Sequence, residues 1–164
     1  MDEQLIQAYI NGICQTEKIP ALTLSVWKED DGESNFFSGF ANIEKRLPVN
    51  ADTVFQLGSI SKLYTTILIL KLVDEGLLQL NNTLCEVLGA KLNNCTDNRI
   101  GQIKLIDLLN HTSGLPFGIH DHECADDIIE EIKQTQLLFT PGSKFKYSTI
   151  GYSLLGVVAE NTTG

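Results

Sequence analysis

The spacing of apolar residues divides the chain into an N-terminal part that mixes helix and strand and a longer, mostly helical part. Helical spacing runs from Asp2 to about Glu17 and stops at Pro20. Residues 22–27 then alternate between apolar and polar, the period of a half-buried strand, and after a turn at 30–32 a return strand is predicted over Asn35–Ala41. We therefore expect a β-hairpin packed on the first helix, with the apolar face of that helix formed by Leu5, Ile6, Tyr9, Ile10 and Ile13.

The remainder of the chain is predicted to be helical after an irregular connection over residues 42–54, which contains breakers such as Pro48. Apolar periodicity predicts helices over Ser59–Glu75, Thr83–Leu88, Ile103–Asn110, Asp126–Gln136 and Thr149–Glu160, and the last of these is expected to be buried. A turn at Pro141-Gly142 leads into an extended stretch over residues 145–147. The expected class is α+β, with residues 1–58 as the N-terminal part of a sheet domain and 59–164 as a helical domain.

Composition and charge exclude several classes of partner. The hydrophobic fraction of 43% and the charged fraction of 20% are ordinary for a soluble globular protein. A net charge of −9 argues against binding to nucleic acid or to an anionic membrane surface. The longest apolar run, residues 67–72, is too short to span a bilayer, and the N-terminus lacks the pattern of a signal peptide. We therefore expect a cytoplasmic protein without a membrane span.

The cysteines predict reduced thiols. None of the four, Cys14, Cys85, Cys95 and Cys124, forms a CxxC pair, and without an export signal such thiols stay reduced. A bridge between Cys85 and Cys95 is the alternative if the protein is exported.

One short run of residues could suggest a metal site. The run His120-Asp121-His122-Glu123-Cys124 carries metal-binding residue types, but it is incomplete for zinc because no further histidine accompanies it. We expect a solvated loop there. The sequence therefore predicts neither a metal nor a cofactor.

A serine and a lysine at helical spacing supply the first candidate chemistry. Ser59 precedes an apolar helix and Lys62 follows three residues later, so the two side chains share one helix face with Cβ atoms about 5–6 Å apart. This helix is mostly apolar and is expected to be buried, which would hold the pair in a dry pocket. A buried lysine loses proton affinity and becomes a base beside a latent nucleophile. The structural alternative is that Ser59 only caps its helix.

Two further stretches give the pair a context. Residues 108–116, LLNHTSGLP, resemble the LLxHTSGLP signature of the serine β-lactamase-like family, which includes class C β-lactamases, D-alanyl-D-alanine carboxypeptidases and related esterases. Residues 141–156 are similar to the second catalytic region of that family, and residues 55–62 fit its first. Order and spacing agree, and the similarity runs from about Pro20 to Gly164. The resemblance implies the N-terminal portion of a β-lactamase/transpeptidase-like fold.

The resemblance also implies roles for individual residues. Ser59 would be the nucleophile that forms an acyl-enzyme, Lys62 would help to take its proton, and Tyr147 would be a second acid/base. The Ser59 backbone N–H would be one oxyanion donor. Thr149 stands where the family usually has a substrate-binding asparagine, and a hydroxyl lacks the paired donor and acceptor of an amide. His111, Ser61 and Ser113 are expected to be structural.

One expected element of the family is missing from the sequence. The third motif, a Lys/His-x-Gly segment on a sheet strand, would lie beyond Gly164. That strand normally supplies the second oxyanion N–H, and its loss would leave an incomplete antiparallel sheet with an exposed edge, prone to self-association.

Two functions follow. The first is a serine hydrolase that acts by acyl-enzyme formation on a small-molecule or peptide substrate: a β-lactam, a D-Ala peptide or a simple ester. The second is an inactive truncated fragment or binding module of the same family.

Overall fold

The chain forms two compact units in the computed structural model, which describes residues 2–118, 122 and 124–164. The units are Met1–Gln56 and Leu57–Gly164. Among the described residues there are six α-helices and one three-stranded antiparallel sheet. The first unit holds one helix and the whole sheet, and the second unit holds the other five helices. The predicted α+β class is therefore confirmed.

A helix and a hairpin build the first unit. Its elements are helix α1 (Glu3–Thr16) and strands β1 (Ala21–Lys28), β2 (Gly32–Asn42) and β3 (Leu47–Pro48). Strands β1 and β2 pair antiparallel, with Leu24 opposite Phe36. The side chain of Gln7 on α1 donates a hydrogen bond of 2.9 Å to the carbonyl of Phe37 on β2. The hairpin thus packs on α1, as the alternating pattern predicts.

Two details of the first unit differ from the sequence-based predictions. Residues 47–48 are not irregular but form an edge strand paired with β2, a place where proline is tolerated because one side of an edge strand has no ladder partner. On α1, Leu5 and Tyr9 are exposed, and Ile10 and Cys14 are the buried residues. The inward face of α1 is therefore narrower and rotated from the predicted one.

Helices dominate the second unit. A 3₁₀ turn at Gly58–Ile60 leads into α2 (Ser61–Asp74), which is followed by α3 (Leu84–Leu88), α4 (Leu105–Leu109), α5 (Ala125–Gln134) and α6 (Thr149–Thr163). Helix α4 starts two residues later than predicted because the Asp107 carboxylate accepts the Lys104 N–H at 3.1 Å and so caps the helix there. Residues 145–147, predicted to be extended, lie outside regular strand and helix.

The core of the second unit surrounds α6. This helix packs against α2, α4 and α5, and the prediction that it is buried is confirmed. It begins at a capping serine, Ser148, whose hydroxyl accepts the N–H of Gly151 at 3.1 Å. Its fully buried side chains include Ile150, Leu154, Leu155 and Val158.

Helix α2 is apolar but mostly uncovered in the described chain. Only Ile69 and Leu72 are buried along it, and its exposed large side chains are Leu63, Tyr64, Ile67, Leu68 and Leu70. The prediction that α2 is buried is therefore wrong here. An apolar pattern on all sides of a helix favours burial, but it does not identify the element that would cover the helix. None of the described helices is long and apolar enough to cross a membrane.

Candidate active site

Ser59 lies at an exposed bend immediately before α2. It occupies the middle of the 3₁₀ turn that precedes the helix, and its side chain is exposed. The turn starts at Gly58, whose φ of +54° lies in the left-handed region that glycine adopts without strain. The Ser61 hydroxyl donates to the Gly58 carbonyl at 2.6 Å, which closes the turn. The backbone thus leaves the Ser59 side chain exposed, whereas the Ser61 hydroxyl is hydrogen-bonded within the turn.

Lys62 reaches the serine from the first turn of α2. Its ammonium nitrogen Nζ donates to Ser59 Oγ at 3.4 Å. The same nitrogen lies 5.3 Å from the centre of the Tyr147 ring and 5.6 Å from that of Tyr152, within the range of cation–π attraction. Lys62 is half-buried, so the dry pocket that we expected from a buried α2 is not formed around the pair.

Tyr147 completes the cluster from a distant part of the sequence. Its phenol oxygen Oη lies 2.7 Å from Ser59 Oγ, and either oxygen can be the donor. The hydrogen bond with Ser59, together with the neighbouring Lys62 ammonium, lowers the pKa of the Tyr147 phenol below its ordinary value. A tyrosine with a lowered pKa exists as the phenolate at less alkaline pH. The Tyr147 phenol oxygen thus lies closer to Ser59 Oγ than the Lys62 nitrogen does.

Backbone hydrogen bonds hold the segment that carries Tyr147 against the loop after α4. The Lys146 N–H donates to the His111 carbonyl at 2.8 Å, and the Thr149 N–H donates to the Phe117 carbonyl at 2.7 Å. Between them, the buried Ser148 hydroxyl donates to the Pro116 carbonyl at 2.7 Å. These three bonds fix the backbone on both sides of Tyr147.

His111 lies beneath the tyrosine. Its ring centre is 4.4 Å from that of Tyr147, and its Nδ1 accepts the Ser148 N–H at 3.2 Å. Burial and the nearby Lys62 charge both lower the pKa of His111, so its neutral form is favoured. The imidazole is thus a neutral acceptor within the structural framework, in line with the structural role expected of it. No local spacing in the sequence predicted that the His111 ring would contact the Tyr147 ring.

The other candidate residues occupy the same neighbourhood or its framework. Thr149, expected to contact substrate, is the half-buried first residue of α6, two positions from Tyr147. Ser113 is buried and accepts the Leu115 N–H at 3.3 Å, a structural contact. Tyr152, for which the sequence predicted no role, donates its phenol proton to the Leu109 carbonyl at 3.0 Å, and its phenol oxygen also shares a hydrogen bond with the Thr66 hydroxyl.

The predicted solvated run near residue 120 can be followed only in part. His120, Asp121 and Glu123 lie outside the described residues. His122 is half-buried, and its Nε2 contacts a Glu131 carboxylate oxygen at 2.8 Å. Across the described part of the chain, no three histidine, cysteine or acidic side chains are grouped as metal ligands would be. The four cysteines are free thiols.

Comparison with known proteins identifies relatives over nearly the whole chain. Protein flp of Staphylococcus aureus (strain MW2) is 30% identical over 98% of this chain, and the match covers 34% of that protein. A putative D-alanyl-D-alanine carboxypeptidase of Escherichia coli (strain K12) is 28% identical over 85% of the chain, and the match covers 35% of that protein. The chain thus spans about a third of the length of the curated relatives it matches.

Solved structures show the same fold. A β-lactamase/D-alanine carboxypeptidase from Pseudomonas syringae superimposes with a TM-score of 0.82 at 25% identity, over 98% of this chain and 44% of that one. SurE, solved with D-Leu, gives 0.82 at 27% identity, over 98% and 36%. The family model described as Beta-lactamase matches residues 4–164. This chain therefore belongs to the Beta-lactamase family.

Proposed function

We propose that this chain is an acyl-transferring serine hydrolase in which Ser59 is the nucleophile, Tyr147 the proton acceptor and Lys62 the electrostatic partner of both. One observation carries the proposal: a serine hydroxyl lies 2.7 Å from a tyrosine oxygen and 3.4 Å from a lysine nitrogen. A nucleophile within hydrogen-bond reach of a base, with a third group nearby, is the arrangement that nucleophilic catalysis requires.

The proton moves along the shorter of the two contacts. As Ser59 Oγ forms its bond to the substrate carbonyl carbon, its proton passes to the Tyr147 phenolate oxygen. The carbonyl–nitrogen or carbonyl–oxygen bond of the substrate then breaks, and the departing amine or alcohol takes the proton from Tyr147. Water subsequently cleaves the serine ester, releases the acid and restores the hydroxyl.

In this scheme Lys62 supplies positive charge and does not accept the Ser59 proton. Its proximity to Ser59 and to the Tyr147 ring suits an ammonium that stabilises negative charge on either oxygen. Removing Lys62 is expected to reduce the fraction of Tyr147 present as phenolate and to slow the attack of Ser59 on the substrate.

The substrate class is an ester or an amide with a small acyl group: a β-lactam, a peptide ending in D-alanine, or a simple ester. Relatives described as β-lactamase and as D-alanyl-D-alanine carboxypeptidase support the first two. Thr149, beside the tyrosine, offers one hydroxyl where an amide would offer a donor and an acceptor. This favours substrates that make fewer hydrogen bonds at that position, and we rank simple esters ahead of amides.

Covalent labelling tests the proposal. The protein is incubated with a fluorophosphonate and its intact mass is recorded beside two serine variants, Ser59→Ala and Ser61→Ala. The proposal expects one added phosphonyl group on the wild type and on Ser61→Ala, and none on Ser59→Ala. Labelling that survives in Ser59→Ala, or a wild type that stays unlabelled, would overturn it.

A second candidate is a binding module of the same family that acylates poorly or not at all. The exposure of Ser59 and of the apolar side of α2 favours it, because acyl transfer is assisted by a site from which water is excluded. Turnover separates the two. Hydrolysis of a nitrophenyl ester, nitrocefin or a D-Ala-D-Ala peptide that is lost in Ser59→Ala supports the hydrolase, and saturable binding of these ligands without product supports the module.

A further inference from the structure

The Tyr147 ring lies against the imidazole ring of His111. The His111 ring centre is 4.4 Å from that of Tyr147, with an angle of 34° between the planes. Tyr152 approaches the imidazole to 5.1 Å and Phe145 approaches it edge-on at 5.9 Å. The histidine is therefore surrounded by three aromatic rings, one of which belongs to the proposed proton acceptor.

A directional bond accompanies these ring contacts. His111 Nδ1 accepts the N–H of Ser148, the residue next to Tyr147, at 3.2 Å, and the His111 carbonyl accepts the N–H of Lys146, the residue before it, at 2.8 Å. One histidine thus holds the backbone on both sides of the tyrosine. The first of these bonds exists only while Nδ1 carries no proton, because a protonated imidazole has two donors and no acceptor.

The charged and titratable groups around the ring oppose its protonation. Lys62 on α2 faces it from one side, and Tyr147 and Tyr152 contribute phenol rings. The carboxylate of Asp107 on α4 is engaged instead by the Thr112 hydroxyl at 3.2 Å. A proton on His111 would therefore break the Ser148 bond and place a second cation beside Lys62.

We propose that His111 is a positioning residue whose neutral imidazole holds the Tyr147 phenol at Ser59, and that protonation of His111 releases the phenol. This inference rests on the proposed function, since it concerns the proton acceptor of the same site. The consequence is a second, acid limb in the rate of Ser59 acylation, at lower pH than the rise that follows the Tyr147 phenol, and this acid limb reports His111. A residue that only maintained the fold would change the amount of folded protein and leave the pH profile of the folded fraction unaltered.

Two substitutions separate the contacts. His111→Asn places an amide oxygen near the position of Nδ1, so the Ser148 N–H keeps an acceptor, and asparagine tolerates the positive φ of 58° at this position. His111→Phe keeps a ring beneath Tyr147 and loses the acceptor. Acylation by the fluorophosphonate is followed by intact mass from pH 5 to 9, and the histidine titration is followed by NMR.

The expected results differ between the variants. In the wild type the acylation rate falls at acid pH with the midpoint that NMR gives for His111. In His111→Asn that acid limb disappears and the rate at pH 8 stays within about tenfold of wild type. In His111→Phe the rate at pH 8 falls by more than tenfold, and the ultraviolet titration of Tyr147 moves to higher pH.

Three results would overturn the inference: a wild-type midpoint that does not coincide with His111, an acid limb that persists in His111→Asn, or a His111→Phe variant with the wild-type rate. If His111→Phe does not fold, the pH profile of His111→Asn decides. If even the wild type is not acylated, the proposed function fails, and the Tyr147 titration in the two variants still tests the positioning role by itself.

Discussion

The Ser59 hydroxyl and the Tyr147 phenol are separated by 88 positions in the sequence and by 2.7 Å in the structure. The 3₁₀ turn before α2 carries the serine, and the hydrogen-bonded segment before α6 carries the tyrosine. Lys62 lies against both. Because the two hydroxyl groups are partners of each other, removal of either should alter the chemistry of the other, and this reciprocity can be measured.

Loss of the tyrosine hydroxyl should slow acylation of Ser59. Tyr147→Phe keeps the ring on His111 but removes the proton acceptor, and a positioned acid/base is worth about 10²–10⁴ in rate. We expect a decrease of that size in the rate of fluorophosphonate labelling, followed by time-resolved intact mass. Tyr9→Phe, at an exposed tyrosine of α1, is the matched control and should label at the wild-type rate. A Tyr147→Phe variant that labels as fast as the control would refute the assignment of Tyr147.

The pH dependence of acylation should follow the Tyr147 phenol. The active form is the phenolate, and the pKa of Tyr147 is lowered from the ordinary value near 10. Above the acid limb that reports His111, the rate should therefore rise with pH, with a midpoint below pH 10. Lys62→Met removes an ammonium that favours the phenolate, so its rise should move to higher pH. A midpoint that moves to lower pH in Lys62→Met would contradict the role given to Lys62.

A buried carboxylate should contribute strongly to the stability of the second unit. Asp97 is 5% exposed and accepts the Leu137 N–H at 3.0 Å and two side-chain nitrogens of Arg99 at 2.9 and 2.5 Å. Asp97→Ala leaves the Leu137 N–H and Arg99 Nε without this acceptor, while Arg99 Nη2 still donates to the Leu137 carbonyl at 3.2 Å. We expect a loss of about 2–4 kcal/mol in the free energy of unfolding by urea. Asp31→Ala, which breaks an exposed pair with Lys28, should cost less than about 1 kcal/mol. Equal costs for the two variants would show that the Asp97 contacts do not stabilise the fold.

The Asp97 contribution should also have a defined pH dependence. Bonds to Arg99 hold the pKa of Asp97 well below its ordinary range. A carboxylate with a lowered folded-state pKa stabilises the protein above its unfolded-state pKa of about 3.9. That stabilisation is lost as pH falls from there through the folded-state value. Urea unfolding at pH 7 and pH 3 should therefore give a smaller difference between wild type and Asp97→Ala at the lower pH.

Two glycines provide a paired test of the backbone that supports the site. Gly114 has a φ of +82°, and a Cβ there would lie 2.5 Å from the Phe139 carbonyl oxygen, so Gly114→Ala should cost about 2–5 kcal/mol. Gly156 lies within α6, and a Cβ added there would meet open space. Gly156→Ala should therefore raise the free energy of unfolding by about 0.5–1 kcal/mol. Thermal melting of both variants checks the prediction. Similar melting temperatures for Gly114→Ala and Gly156→Ala would show that the loop around Gly114 accommodates a side chain.

The sequence predicted elements best where local pattern and environment agree. Helix α6 was predicted as buried and is buried, because its apolar residues face several neighbours and Ser148 caps its start. Strand β3 was missed because it is two residues long and contains Pro48, which reads as a breaker. Helix α2 was assigned correctly as a helix but wrongly as buried, since periodicity does not identify the partner of an apolar face.

The parts of the site were predictable from local pattern only where they lie close together in the sequence. Ser59 and Lys62 could be paired from helical spacing alone. Tyr147 entered only through the resemblance to a family, because no local spacing links it to a serine 88 positions away. The stacking of His111 beneath Tyr147 had no signal in the sequence, since it depends on how the loop after α4 meets the segment before α6.

The most direct test of the account identifies the serine that becomes acylated. The wild-type protein is incubated with benzylpenicillin or a fluorophosphonate, digested, and the modified peptide is sequenced by tandem mass spectrometry. The account predicts that the adduct lies on Ser59 and that the neighbouring Ser61, which is hydrogen-bonded to the Gly58 carbonyl, is unmodified. An adduct on Ser61 or on any other residue, or the absence of an adduct with both reagents, would contradict it.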